Sequence, residues 1–365
     1  MTTPLDELHA LTHAGSLLSG DGHIVAPYDL EVSGACTAAY RPLDGVRNAA
    51  VEPFVADYDR ARHVHLINAF GVTLGDSIIG LTALFALKRR HPHLTFSVYR
   101  PSRAPRYVQR LYELAAPAFG AIADLPVPRA HLPDDAFRID LGNHLFWPRF
   151  ASMPMIDFFL WALGVAPESI AADDKRNRWL ADLPLPAVAQ REPYVLLCPD
   201  ASTPVRSIPR SSRARIVERL WDEFGLPVLG FGAVDHPRYR DIASHSRDTD
   251  AFLVWIRHAR YLVTSDTAAL HIAAGFDVPM TGFFTTIAPH LRARDYAHCA
   301  SVAFDLPHLQ GMHASARTGD LAALERVYRD FDWRAMPIMR STCRKSRLAR
   351  HGCGMPHLKN RQVAI

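Results

Sequence analysis

HVHLINAFGVTLGDSIIGLTALFALKRRHP, residues 63–92, passes from a short β-rich run through a glycine-containing loop into a long apolar helix. His63 to Asn68 reads as a strand. Gly71 and Gly75 loosen the backbone beyond it, and the apolar pattern that follows ends in Lys88, Arg89 and Arg90. Cations suit a helix C-terminus, and Pro92 marks the stop. Strand, loop and helix in that order are the repeating unit of a parallel sheet.

The same unit recurs on both sides of a join. LTFSVYR (94–100) reads as a second strand, PRYVQRLYELAA (105–116) as a helix and AFRIDLGN (136–143) as a later strand, with a helix over 155–163. Residues 166–193 are rich in charge and proline, the composition of a connection between domains. Beyond them come strands at YVLLCPD (194–200), PVLGFGA (227–233), ARYLVTSD (259–266) and VPMTGFF (278–284), with helices at SRARIVERLWDEF (212–224) and TAALHIAAGF (267–276). DLAALERVYRDF (320–331) supplies a last helix. The expected fold is therefore two α/β domains in tandem, over 61–175 and 190–335. Residues 1–60 form an N-terminal extension of unclear fold, with a short helical pattern near Pro4 to Leu18 and a small hairpin at GDGHIVAPYDLEVSG (20–34). Residues 336–365 are a basic C-terminal tail.

The length of 365 residues favours two cores over one, and 48% hydrophobic with 21% charged residues is an ordinary globular composition. A net charge of +4 is too small to mark a nucleic-acid binder. Between Arg60 and Arg110, however, nine basic side chains face one acid, Asp76 (Arg60, Arg62, Lys88, Arg89, Arg90, Arg100, Arg103, Arg106 and Arg110), which suits an anionic partner. Five scattered cysteines do not make a disulfide framework. The N-terminus has no signal-peptide pattern, and no window is long and apolar enough to span a membrane. Cytoplasm is the expected compartment.

Polar residues gather where strands end. In YLVTSDTAALHIAA (261–274), Asp266 and Thr267 fall at a strand-to-helix turn, the place where open parallel sheets bind ligands. The helix start offers free N–H donors to a phosphate, and His271 lies one turn on. The plainer reading is an N-cap and a core histidine. In GVTLGDSIIG (71–80), Asp76 stands at a helix mouth, where an acid is favoured by the dipole alone or faces a ligand. The loop PDASTPVRSIPR (199–210) concentrates Ser202, Thr203 and Arg206, groups suited to a diphosphate. Neither G-x-G-x-x-G nor the P-loop pattern is present. In the tail, Cys343, His351, Cys353 and His357 are four soft-metal ligands whose spacing fits no ordinary zinc motif.

Taken in order, GDSIIGLTALFALKRRHP, VRSIP, VLGFGAVDHP and VTSDTAALHIAAGFDVPMTGFF make the chain, over roughly residues 63–335, similar to glycosyltransferase family 9, the ADP-heptose:lipopolysaccharide heptosyltransferases. The resemblance implies a GT-B fold, two Rossmann-like domains with parallel sheets facing across a cleft. The acceptor would lie on 61–175 and the nucleotide-sugar on 190–335. It implies Asp76 as general base and Arg206 against the donor diphosphate, with Ser202 and Thr203 beside it. Asp266, Thr267 and His271 would contact donor diphosphate and sugar, and Gly232 and Asp235 would lie at the nucleotide. Ala268 and Ile208 stand where the family has glycine and tryptophan. The implied activity is inverting, metal-independent transfer of a heptose or similar sugar from an ADP-sugar donor to a lipopolysaccharide-type or other bacterial surface glycan. The basic 60–110 region would face an acidic acceptor. No cofactor is expected, and no nucleic acid; peripheral contact with the inner membrane surface and oligomeric state stay open. A protein O-heptosyltransferase, a nucleotide-sugar epimerase and a catalytically degenerate sugar-nucleotide-binding subunit remain alternatives.

Overall fold

A computed structural model of the chain describes residues 4–34, 39–133, 136–187, 190 and 192–339. The N-terminal part holds α1 (Glu7–Leu11), the hairpin β1 (Leu17–Ser19) and β2 (His23–Val25), α2 (Pro27–Ser33) and β3 (Tyr40–Pro42). The first α/β unit follows with β4 (His63–Ile67), α3 (Leu74–Arg90), β5 (Thr95–Pro101), α4 (Arg106–Phe119), β6 (Gly120–Leu125), β7 (Val127–Pro128), β8 (Phe137–Asp140) and α5 (Met155–Ala162). The second comprises β9 (Val195–Cys198), α6 (Arg210–Phe224), β10 (Val228–Gly230), β11 (Tyr239–Asp241), α7 (Thr249–His258), β12 (Leu262–Ser265), α8 (Ala268–Gly275), β13 (Met280–Phe284), α9 (His290–Ala293), β14 (Cys299–Ala303) and α10 (Thr318–Asp330).

Both principal sheets are parallel throughout, in the orders β6-β5-β4-β8 and β11-β10-β9-β12-β13-β14. Numbered within its own unit, the second sheet runs 3-2-1-4-5-6, the Rossmann order, and the first runs 3-2-1-4. Each reverses direction beside its first strand, next to β4 in one and β9 in the other. The expected pair of Rossmann-like units with parallel sheets is what the chain forms. Its central strands are buried on both faces, so β9, β12 and β13 read as apolar runs without alternation.

Every residue of α3 from Ser77 to Leu87 is buried, because the helix is covered by its own sheet on one side and by the second unit on the other. Residues of both units belong to one continuous apolar core. Strands β6, β11 and β14 and helix α7 have no counterpart in the sequence reading. Strand β6 begins directly at the end of α4, at Gly120 (φ +146°), where an added Cβ would sit 2.1 Å from the Phe96 carbonyl oxygen. Pro117 lies in the last turn of α4 and Gly120 opens the strand, so no loop separates the two elements. Strand β11 is mostly exposed, and β14 is partly buried with one side chain, Val302, in the core.

The described residues between 4 and 60 are built into the first unit. Strands β3, β1 and β2 form an antiparallel sheet completed by β7, which lies between β6 and β8 in the chain. At the end of β8, the buried carboxylate of Asp140 accepts the Ser16 N–H (2.7 Å), the Ser16 hydroxyl (2.7 Å) and the Gly142 N–H (3.0 Å). Burial is the largest influence on that carboxyl and pushes its pKa up despite these donors.

The loop after β4 is left-handed at Asn68, Phe70 and Gly71 (φ 52°, 57° and 71°). Arg100 fastens it, donating to Ala69 O (2.8 Å) and Gly71 O (3.0 Å) with its guanidinium 3.5 Å from the Tyr112 ring centroid. Phe70 packs on Gly80, whose added Cβ would fall 2.3 Å from the ring. Helix propensity alone says that Gly80→Ala stabilises. Here the contact decides the sign, and the substitution is expected to destabilise by about 1–3 kcal/mol, read as a lower denaturant midpoint at unchanged m-value.

Candidate functional site

The carboxyl ends of both sheets face one cleft of about 750 Å³. The first unit contributes Thr73, Leu74, Gly75 and Asp76 from the turn after β4, and Tyr107, Leu145, Phe150 and Met155 from neighbouring segments. Ser202, Thr203 and Arg206 follow β9, Phe231 follows β10, Asp266, Thr267 and His271 follow β12, and Arg292 lies on α9 after β13. The two reversal points therefore open onto one space, where ligands of open α/β sheets bind.

Asp76 faces the Asp266–His271 turn. An added Cβ on Gly75 would lie 3.4 Å from His271 Cδ2 and 3.8 Å from Ala268 Cα, so α3 and α8 meet at their first turns. Asp76 does not cap its helix; Thr73 does, accepting the Asp76 N–H at 3.3 Å. The Asp76 carboxylate instead accepts from His144 Nε2 at 3.4 Å. His144 follows β8 and is enclosed by Phe150, Phe158 and Phe159. Its approach requires Gly71, where a Cβ would fall 2.5 Å from His144 Cε1. Burial, the largest influence on Asp76, acts to raise its pKa. His144, Arg292 and Thr73 together outweigh it and leave the carboxyl below its ordinary value, ionised at neutral pH.

Asp266 is likewise no cap: Thr267 takes the Ala269 N–H at 3.2 Å. Its carboxylate lies 3.1 Å from Arg206 Nη2, and Arg206 donates to the Asp266 carbonyl oxygen at 2.5 Å. Neither carboxylate oxygen of Asp266 has an aligned hydrogen-bond partner among the described residues.

His271 is fixed by a chain of donors that spans both units. Asn177 Nδ2 donates to the His271 carbonyl oxygen (2.8 Å), which orients its amide, and to Tyr296 Oη (2.9 Å). With Tyr296 Oη accepting from Asn177, its O–H donates a hydrogen bond to His271 Nδ1 (2.8 Å), and Nε2 carries the ring proton. On the far side, Trp179 Nε1 donates to Thr82 Oγ1 (2.9 Å), which donates to Asn177 Oδ1 (2.6 Å). Burial pushes the His271 pKa down to about 4, so it is a neutral donor.

The structure thus brings Ser202, Thr203, Arg206, Asp266, Thr267, His271 and Asp76 to one cleft. Gly232 and Asp235 do not line the cleft, and Asp235 is exposed. The acids at that end are Asp200 and Asp248, near Phe231 and Phe252, whose rings lie 5.2 Å apart. Ile208 is fully buried in the second core and does not line the cleft, whereas Ala268 does.

The basic run between Arg60 and Arg110 does not form a face toward the cleft; none of its nine side chains lines it. Arg89 pairs with Asp174, Arg106 with Glu113, and Arg110 with Asp250 across the units (2.8 Å). Lys88 caps carbonyls of residues 92 and 94, and Arg100 is the buried clamp already described. Net charge along a segment could not reveal that these cations are spent locally. Sequence reasoning missed His144, which follows β8, and Arg292, which lies on α9 after β13, although a position beyond a strand end is the signal that marks Asp266. Cys343, His351, Cys353 and His357 lie outside the described residues. Among those described, no three His, Cys, Asp or Glu side chains gather as a metal site, and no helix is long and apolar enough to cross a membrane.

Fold and site define a two-unit α/β protein with a cleft at the carboxyl ends of both sheets that sets acidic, cationic and imidazole side chains among apolar ones. No family model and no curated protein matches the chain. Among solved structures it is similar to ADP-heptose lipopolysaccharide heptosyltransferase II of E. coli, at 15% identity over 74% of this chain and 97% of that one, with a TM-score of 0.44. It is also similar to the E. coli heptosyltransferase WaaC with ADP-2-deoxy-2-fluoro heptose (13% identity, 73% and 99% covered, TM-score 0.45). A glycosyltransferase family 9 protein from Veillonella parvula gives 12% identity, 76% and 97% coverage and a TM-score of 0.48.

The depressed His271 pKa has a definite consequence for stability. Between an ordinary value near 6.5 and about 4, the unfolded chain binds a proton that the folded one refuses, so stability falls as pH falls through that window. From pH 6.5 to pH 5 the loss from this residue is about 1.5 kcal/mol. Because His63, His65, His258 and His313 are also lowered by burial, the stability lost between the two pH values, from denaturant unfolding, should be smaller in His271→Gln than in the wild type by about that amount.

Proposed function

We propose that this chain is an inverting, metal-independent glycosyltransferase that moves a heptose or similar sugar from an ADP-sugar to a bacterial surface glycan acceptor. The observation that carries the reading is the placement of Asp76 on one wall of the cleft opposite the Arg206, Asp266 and His271 turn on the other. The order of sequence motifs shared with glycosyltransferase family 9 supports the donor and sugar class.

In the proposed step, an acceptor hydroxyl gives its proton to Asp76 while its oxygen bonds to the anomeric carbon of the donor. The bond from that carbon to the diphosphate oxygen breaks, and the electron pair leaves with the nucleoside diphosphate. One displacement inverts the anomeric centre. His144 holds one carboxylate oxygen of Asp76 and so fixes the direction of the other. Cationic groups and N–H donors on the second wall stabilise the departing charge.

The wall that would receive the acceptor presents Leu74, Tyr107, Leu145, Phe150 and Met155 around Asp76, without any of the nine cations of residues 60–110. Acceptor recognition is accordingly proposed to rest on shape and apolar contact more than on charge.

Melting temperature measured with ADP-, UDP- and GDP-sugars tests the donor, since selective binding stabilises by mass action. A selective rise with the ADP-sugar is expected. With acceptor supplied, Asp76→Asn should lower turnover by about two to four orders of magnitude with donor affinity nearly unchanged. Unaltered transfer by that variant would remove Asp76 from its role.

A further inference from the structure

The cleft's charge balance singles out one side chain. Arg206, the cation that the motif order assigns to the diphosphate, already lies 3.1 Å from the Asp266 carboxylate and donates to the carbonyl oxygen of the same residue. That pair is close to neutral. Asp200 is engaged by Arg213, and Asp248 caps α7 through the Ala251 N–H. Arg247 is exposed at the rim and bonds to Ser244 O. His271 is neutral for the reason given above.

Arg292 is different. It is 7% exposed, lines the cleft, and is in no ion pair among the described residues. Of its five N–H donors, the hydrogen bond it makes is a 3.3 Å contact from Nη1 to the neighbouring Leu291 carbonyl oxygen. Phe150 lies under the guanidinium at 5.7 Å. A buried cation without a carboxylate is costly in a folded protein unless an anion meets it in use. The charges that act on it most after burial are those of Asp266 and Asp76, one on each wall, so it stands between the base and the cradle.

We infer that Arg292 is the principal cation for the donor diphosphate, an inference that rests on the nucleotide-sugar reading above. The planar guanidinium presents paired donors to phosphate oxygens, with the N-terminus of α8 and His271 Nε2–H beside it. Arg206 is then mainly a positioning residue, which holds the Asp266 turn in shape. The arrangement also couples binding to chemistry. A diphosphate seated on Arg292 neutralises the cation that favours ionised Asp76, and so strengthens Asp76 as a base once the donor is in place.

Calorimetric titration of ADP and AMP into the wild type, Arg292→Gln and Arg292→Lys separates this from a structural role. The wild type is expected to prefer ADP over AMP by roughly tenfold or more, and Arg292→Gln to lose that preference while AMP affinity is kept. Arg292→Lys, which keeps charge without the fork, should lie between, and it carries the test if the glutamine variant does not fold. Equal loss of ADP and AMP binding would make Arg292 structural, and an unchanged ADP preference in either variant would overturn the inference while leaving the nucleotide-sugar reading intact. Failure of the wild type to bind either nucleotide would overturn both.

Discussion

The meeting of the first turns of α3 and α8 is the contact on which the cleft depends. At Gly75 the walls are close enough that an added Cβ would touch the His271 ring at ordinary van der Waals distance, 3.4 Å from Cδ2. Behind that contact runs the hydrogen-bond chain Trp179–Thr82–Asn177–Tyr296–His271, with members from α3, the connection and the second unit. Each buried polar group in the chain is satisfied by the next, which makes one spacing of the two walls better than its neighbours. The reacting groups are held by the same atoms that join the units.

Around this junction the structure spends much of its polarity on holding loops. Arg100 locks the left-handed loop before α3, and Asp140 ties the N-terminal segment to the end of β8. That segment in turn supports the loop bearing His144: Ala14 O accepts from Asn143 N (2.9 Å) and from Trp147 Nε1 (2.6 Å). The described residues between 4 and 60 thus reach the cleft indirectly, through the loop that positions Asp76. Loops at strand ends are placed by such second contacts, since their own backbones lack a ladder to fix them.

Much of the architecture was legible because it rests on local chemistry. Alternating strands and helices, proline stops and cationic helix ends are properties of short windows, and they suffice for two parallel-sheet units. Elements with exposed or abrupt boundaries were not legible: β6 starts with no loop before it, β11 is mostly exposed, and β14 sets one side chain in the core. Within the site, Asp76, Asp266 and His271 could be found because an acid or imidazole in an apolar run is conspicuous. Arg292 lies in a polar stretch beside Arg294 and Asp295, and His144, followed by Leu145, Phe146 and Trp147, is marked by its place beyond β8 alone.

The sequence by itself determined the two-unit α/β class and the strand-to-helix turns that carry Asp76 and Asp266. Only the tertiary structure decided which charges are free. Nine cations between Arg60 and Arg110 are drawn into ion pairs, carbonyl caps and solvent away from the cleft, and Arg206 is drawn onto Asp266, while Arg292 is left buried without a carboxylate. A charge's availability depends on what lies within a few ångströms of it in space, and those neighbours come from segments far apart in the chain.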